Sequence, residues 1–163
     1  MLFSSLIFLS IFLPLVTAIY IIVKKELKNF VLLVSSLIFY VFVEPRYLSI
    51  MLFIIILNYT FGILVETAKN RKIYLFLAVI GNLSVLIYFK YFNFIIENLN
   101  NLLSSKISSI DIIMPIGISF YIFQALSYVI DVYRKEVKAQ KNIYNLALYV
   151  TFFLQLIAGS IVK

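Results

Sequence analysis

The chain has 163 residues, 64% of them hydrophobic and 13% charged, with a mean hydropathy of +1.08, whereas a soluble domain is about half apolar and a quarter charged. One core of this size cannot enclose so much apolar surface, which excludes a water-soluble globule and requires lipid on the outside. The net charge of +7, from 14 Lys and Arg against 7 Asp and Glu, is gathered in short clusters between apolar runs, a pattern that suits loops beside anionic headgroups and argues against nucleic-acid binding.

The first apolar run, Leu6 to Val23, is 18 residues long and rises about 27 Å as a helix, close to a hydrocarbon core of ~30 Å. Its charges, Lys24, Lys25 and Lys28, follow it. A cleaved signal would carry them in front, so the run is expected to be a retained span with its N-terminus outside. The second run, Phe30 to Val43, is short and reaches the lower limit for a span only by borrowing Leu27 to Asn29; it stops at Glu44-Pro45-Arg46, where proline disfavours helical geometry in the residue before it. The third runs from Tyr47 to Val65 with one amide, Asn58, and is followed by a basic loop, Glu66 to Lys72.

The fourth run, Ile73 to Ile96, contains Asn82, Lys90 and Asn93, and Glu97 to Asp111 after it is rich in Asn and Ser and reads as a loop. The fifth begins near Met114-Pro115, since proline suits a helix start, and continues to about Tyr133. A charged loop, Arg134 to Lys141, leads to the sixth run, Ile143 to Val162. The loops after runs one, three and five hold three, three and four basic residues, and those after runs two and four hold one each, Arg46 and Lys106. Because cytoplasmic loops carry the Lys and Arg excess, this predicts an all-α, multi-pass transmembrane bundle of about six spans. Both ends lie outside, and residues 1–163 form a single unit.

Polar side chains are costly in hydrocarbon and usually face the bundle interior. In the fifth run Gln124, Ser127, Asp131 and Arg134 follow spacings of three, four and three, which places them on one helical stripe, with Tyr121 and Tyr128 alongside. The stripe reads either as the wall of a cavity or tunnel, with Asp131 and Arg134 paired at the rim, or as ordinary interhelical hydrogen bonding with an interfacial ion pair. In the fourth run Asn82, Lys90 and Asn93 share a broad face, from which Lys90 is expected to reach the headgroups. Asn58 and Gln155 read as packing contacts, and Tyr20, Tyr40, Tyr47, Tyr74 and Tyr91 as interfacial aromatics. With no Cys, no His and only 4 Gly, nothing supports a metal site, a phosphate-cradling loop or a hydrolase triad, and any catalysis must do without an imidazole.

The run from Pro115 through Gly117, Ser119, Tyr121, Gln124, Ser127 and Tyr128 to Asp131 and Arg134 resembles the membrane-bound O-acyltransferase family, nearest to the membrane subunit of bacterial alginate O-acetyltransferase. Supporting pieces are Phe3-Ser4-Ser5, Phe12-Leu13-Pro14, Phe39-Tyr40 with Glu44-Pro45, Asn58-Tyr59, Tyr88-Phe89-Lys90-Tyr91, Gln140-Lys141-Asn142 and Gln155 to Gly159. The chain departs from the pattern at Ile122, where threonine is expected, and at Leu154 and Ser160, where proline is expected. Losing two prolines would straighten the last helix.

The resemblance implies a partial acyltransferase fold in a bacterial inner membrane. A full-length relative would move an acyl group from acetyl coenzyme A or a carrier-bound donor, through a tunnel, to hydroxyls of an extracytoplasmic polysaccharide or to a polymer-modifying acyltransferase partner. It also implies a histidine base in a C-terminal half, which this chain does not contain. The chain is therefore expected to be the N-terminal portion of such a protein and inactive alone, with Lys90, Asn93, Gln124, Ser127 and Asp131 as tunnel walls. A non-catalytic membrane scaffold or transport subunit is the alternative.

Overall fold

A computed structural model of the chain describes residues 8–43, 45–103, 112–115 and 117–152, and these residues are mainly helical with no strand among them. The helices are α1 (Leu13–Ile22), α2 (Lys25–Val43), α3 (Leu48–Thr67), α4 (Arg71–Leu103), α5 (Ile118–Arg134) and α6 (Ile143–Thr151). Two of them are long and apolar enough to cross a membrane: α3 with its preceding turn, Pro45–Thr67, and α4. Together with the apolar exterior, this is an all-α membrane protein. Of the residues quoted above, Phe3 to Leu6, Glu44, Lys106, Asp111, Leu154, Gln155, Gly159, Ser160 and Val162 lie outside the described ones.

Each boundary follows from local chemistry. A five-residue π-helical turn, Phe8–Phe12, precedes α1, and Pro14 stands at the start of α1. Proline has no N–H to donate and its ring crowds the carbonyl four residues back, so the preceding turn widens. The second helix starts at Lys25 rather than near Phe30, which corrects the assignment of Lys25 and Lys28 to a loop. Lys, Glu and Leu are good helix formers, and Glu26 in the first turn favours the positive helix end.

The fourth helix runs seven residues past Ile96 and corrects the loop expected at Glu97. The Asn-rich composition hid a continuing 3.6-residue period, in which Ile95, Leu99, Leu102 and Leu103 stay on one apolar face. Asn98 stays helical by donating its side-chain amide to the Phe94 carbonyl at 2.8 Å.

The fifth helix starts at Ile118, so Pro115 is not its first residue. Pro115 is buried ahead of the helix and its carbonyl accepts the Ile118 N–H at 3.3 Å. Gly117 holds the intervening corner at φ 73°, where a side chain would be strained. At the other end Lys135 adopts φ 63°, the Lys135 N–H donates to the Val132 carbonyl at 3.1 Å, and the Glu136 N–H donates to the Asp131 carbonyl at 3.0 Å. This is the Schellman pattern with lysine in the place glycine usually takes.

The core lies where α3, α4 and α5 meet, and α6 packs against α2, α3 and α5. The third helix contributes Met51, Ile54, Ile55, Asn58, Gly62 and Val65, and the fifth contributes Ile118, Tyr121, Ile122, Ala125, Val129 and Val132, all fully or nearly fully buried. Ile122 thus sits among apolar neighbours. Small residues allow close approach: a Cβ added to Gly62 would stand 2.7 Å from the Tyr128 hydroxyl and 2.8 Å from its ring. The outward face of α4, with Phe76, Leu77, Ile80, Ile87 and Phe94 exposed, is the surface a bilayer would cover.

Candidate functional site

Interhelical order starts from two amides. Asn58 and Asn82, both fully buried, exchange side-chain hydrogen bonds of 2.9 and 3.0 Å across the α3–α4 interface. Each amide's second N–H donates to its own helix, Asn58 to the Ile54 carbonyl at 2.8 Å and Asn82 to the Ala78 carbonyl at 2.7 Å. Both N–H groups and the carbonyl of each amide find a partner, and these bonds offset the cost of burying the pair.

The segment joining α5 to α6 is pinned at three successive residues. The Ala139 N–H donates to Glu66 Oε1 at 3.2 Å, the Gln140 N–H donates to the Tyr128 hydroxyl at 2.7 Å, and the Lys141 carbonyl accepts the Tyr59 hydroxyl at 2.8 Å. Two of these partners lie on α3 and one on α5, so the loop is held against the bundle. Asn142 then caps α6, its side-chain oxygen accepting the Tyr144 N–H at 3.0 Å.

That pinned loop borders a half-open cavity of about 270 Å³ between α5 and α6, lined by Tyr128, Asp131, Lys138, Gln140, Asn145 and Tyr149. Gln124, two turns above Asp131, donates to the Tyr149 backbone carbonyl at 2.6 Å and ties the same two helices. A carboxylate, two amides, an ammonium and two phenols can accept from and donate to a hydroxyl- or amide-bearing molecule. With no histidine in the chain, the cavity offers groups that bind and orient but no imidazole base. Among the described residues no cluster of three or more His, Cys, Asp or Glu is placed to hold a metal ion.

The residues singled out from the sequence separate into several places. Tyr128 and Asp131 line the cavity, and Gln124 braces it. Tyr121 is wholly buried in the core, and Asn82 is held by Asn58. Ser127 is exposed. Lys90 is exposed on α4, its ammonium 5.6 Å from the Tyr91 ring centre. Asn93 is half-buried, and its side-chain oxygen has no hydrogen-bond partner among the described residues.

Arg134 pairs with Glu136 at 3.2 Å rather than with Asp131, which corrects the rim pair expected from helical spacing. The Schellman turn at Lys135 carries the chain back, so a residue two positions on reaches the guanidinium while Asp131 faces α6. Tyr149, Asn145, Lys138 and Glu66 were not legible as site residues. Only the Gln140-Lys141-Asn142 motif pointed to the loop.

No family model matches the chain, and no solved structure matches it. Across its whole length it is 37% identical to a probable alginate O-acetylase of Pseudomonas putida and 36% identical to one of Pseudomonas aeruginosa, covering 35% and 33% of those proteins. It is 30% identical over 194 aligned residues to a peptidoglycan O-acetyltransferase of Helicobacter pylori, covering 99% of this chain and 37% of the relative. The chain thus spans about a third of the length of the curated relatives it matches. Identity at this level over the whole of this chain bears out the resemblance to O-acetyltransferases that its motifs carry.

Proposed function

We propose that this chain forms part of an O-acyltransferase that moves an acyl group, in our reading acetyl, onto hydroxyls of an extracytoplasmic cell-envelope polysaccharide. The observation that carries the reading is the 36–37% identity to alginate O-acetylases over every residue of the chain. The cavity beside Asp131 supplies groups suited to holding a hydroxyl-bearing or amide-bearing reactant near the transfer point. Attack of a hydroxyl on an acyl donor requires removal of its proton. With no histidine present, we assign that step to a segment outside these 163 residues, so the isolated chain is not competent for transfer. The donor is acetyl coenzyme A or a carrier-bound acyl group, and the setting is a bacterial inner membrane crossed several times.

A chimera tests this. The matching third of the Pseudomonas putida alginate O-acetylase is replaced by this chain, and polymer-bound acetate is measured in cells lacking their own enzyme. The chimera is expected to restore acetylation that depends on Asp131, while the 163-residue chain alone restores none. Acetylation by the chain alone, or a membrane-inserted chimera that transfers to neither alginate nor peptidoglycan, would overturn the proposal.

A further inference from the structure

Where α3 and α5 finish and α4 begins, the molecule carries an open cleft of about 610 Å³, distinct from the cavity beside Asp131. Five of its lining residues are cationic, Lys69, Arg71, Lys72, Arg134 and Lys135, and no carboxylate lines it. Arg71 is fixed rather than free. Its Nε donates to the Val65 carbonyl at 2.7 Å, its Nη2 donates to the Val132 carbonyl at 3.0 Å, and its guanidinium lies 5.5 Å from the Tyr133 ring centre. Glu136 engages Arg134 from outside the cleft. Lys69, Lys72 and Lys135 are exposed and have no ion pair among the described residues. The first turn of the 33-residue α4 forms part of the same wall, and its aligned dipole adds to the positive potential.

An apolar track continues from this charged end. Ile73 lines the cleft, and Phe76, Leu77 and Ile80 follow it at spacings of three, four and seven on one exposed face of α4, from 44% to 62% accessible. A concentrated positive site that opens directly onto such a stripe fits a molecule with a phosphate at one end and hydrocarbon at the other. A soluble phosphate would use only the first half of the arrangement.

We propose that this cleft is a binding site for an anionic phospholipid, with the headgroup phosphate among Lys69, Lys72, Lys135 and the fixed Arg71, and an acyl chain along Ile73, Phe76 and Ile80. The proposal needs the membrane setting but not the acyltransferase reading.

The test is native mass spectrometry of the full 163-residue chain released from detergent with phosphatidylglycerol or phosphatidylcholine of matched chains. Phosphatidylglycerol is expected to be retained at least about tenfold more tightly, since each basic residue at a membrane surface adds several-fold to anionic-lipid binding. The triple variant Lys69→Gln, Lys72→Gln, Lys135→Asn loses that preference. A variant with the same charge change elsewhere, Lys24→Gln, Lys25→Gln, Lys28→Gln, keeps it. Equal loss in both variants, or in neither, overturns the site, and displacement of the lipid by excess inorganic phosphate overturns the lipid assignment. The unaltered chain gives an independent reading: a photoreactive phosphatidylglycerol is expected to crosslink within residues 69–80, and labelling spread evenly over the helices counts against the proposal.

Discussion

The Asn58–Asn82 pair predicts a distinctive pattern of stability. Substituting Asn82→Leu keeps the branched shape of the side chain but removes both interhelical bonds, of 2.9 and 3.0 Å, while the Asn58 amide keeps only its 2.8 Å bond to the Ile54 carbonyl. Asn58 is then left with a carbonyl oxygen and one N–H stranded at 0% exposure. A stranded buried polar group costs about 1–3 kcal/mol, and interhelical hydrogen bonds in membrane proteins are worth about 0.6–2 kcal/mol. Each single variant should therefore lose about 2 kcal/mol. Asn58→Leu with Asn82→Leu replaces the pair by two apolar side chains and strands nothing, so it should lose about 0–1 kcal/mol. The double-mutant cycle then yields a coupling of about 3–4 kcal/mol. The chain has no Trp, so unfolding is followed by circular dichroism during titration of mixed micelles with a denaturing detergent. Single losses that add up in the double variant, within about 0.5 kcal/mol, would show that the amides do not act as a unit and would refute the reasoning.

Three further outcomes follow from the geometry. Gly62→Ala should cost about 1–3 kcal/mol, because the new Cβ would stand 2.7 Å from a Tyr128 hydroxyl that cannot withdraw without losing the Gln140 N–H; faster proteolysis within residues 135–142 is the accompanying readout. Arg71→Ala should lose about 2–3 kcal/mol through the two charge-assisted bonds to the last turns of α3 and α5, and Arg71→Lys should recover only part in the same denaturation assay, since one ammonium does not reproduce the planar fork. The absence of Cys makes the chain its own background for labelling: Lys69→Cys and Asn101→Cys, near opposite ends of α4, should react with an impermeant thiol reagent from opposite sides of the membrane. Labelling of both from one side would remove the assignment of α4 as a span.

Hydropathy and the lack of His and Cys were enough to establish the class of protein and to bound its chemistry, because both depend on composition and neither depends on packing. The resemblance to O-acyltransferases was legible too, since motifs such as Pro115 to Arg134 are local strings. Helix ends were less so. Asn and Ser after Glu97 read as a loop by composition, although the apolar period continued through Leu103, and Pro115 could be placed only after Gly117 was seen to turn the corner.

What tertiary structure alone decided is which polar residue meets which. Periodicity put Gln124, Ser127, Asp131 and Arg134 on one stripe, but a stripe on an isolated helix has no neighbour. Once α6 and the pinned loop are in place, Asp131 faces a cavity, Ser127 faces outward and Arg134 turns to Glu136. Asn58 and Asn82 stand 24 residues apart, and Arg71 spans to Val132 over 61. Such pairings arise from the approach of separate helices, which small residues such as Gly62 permit and which no local spacing encodes.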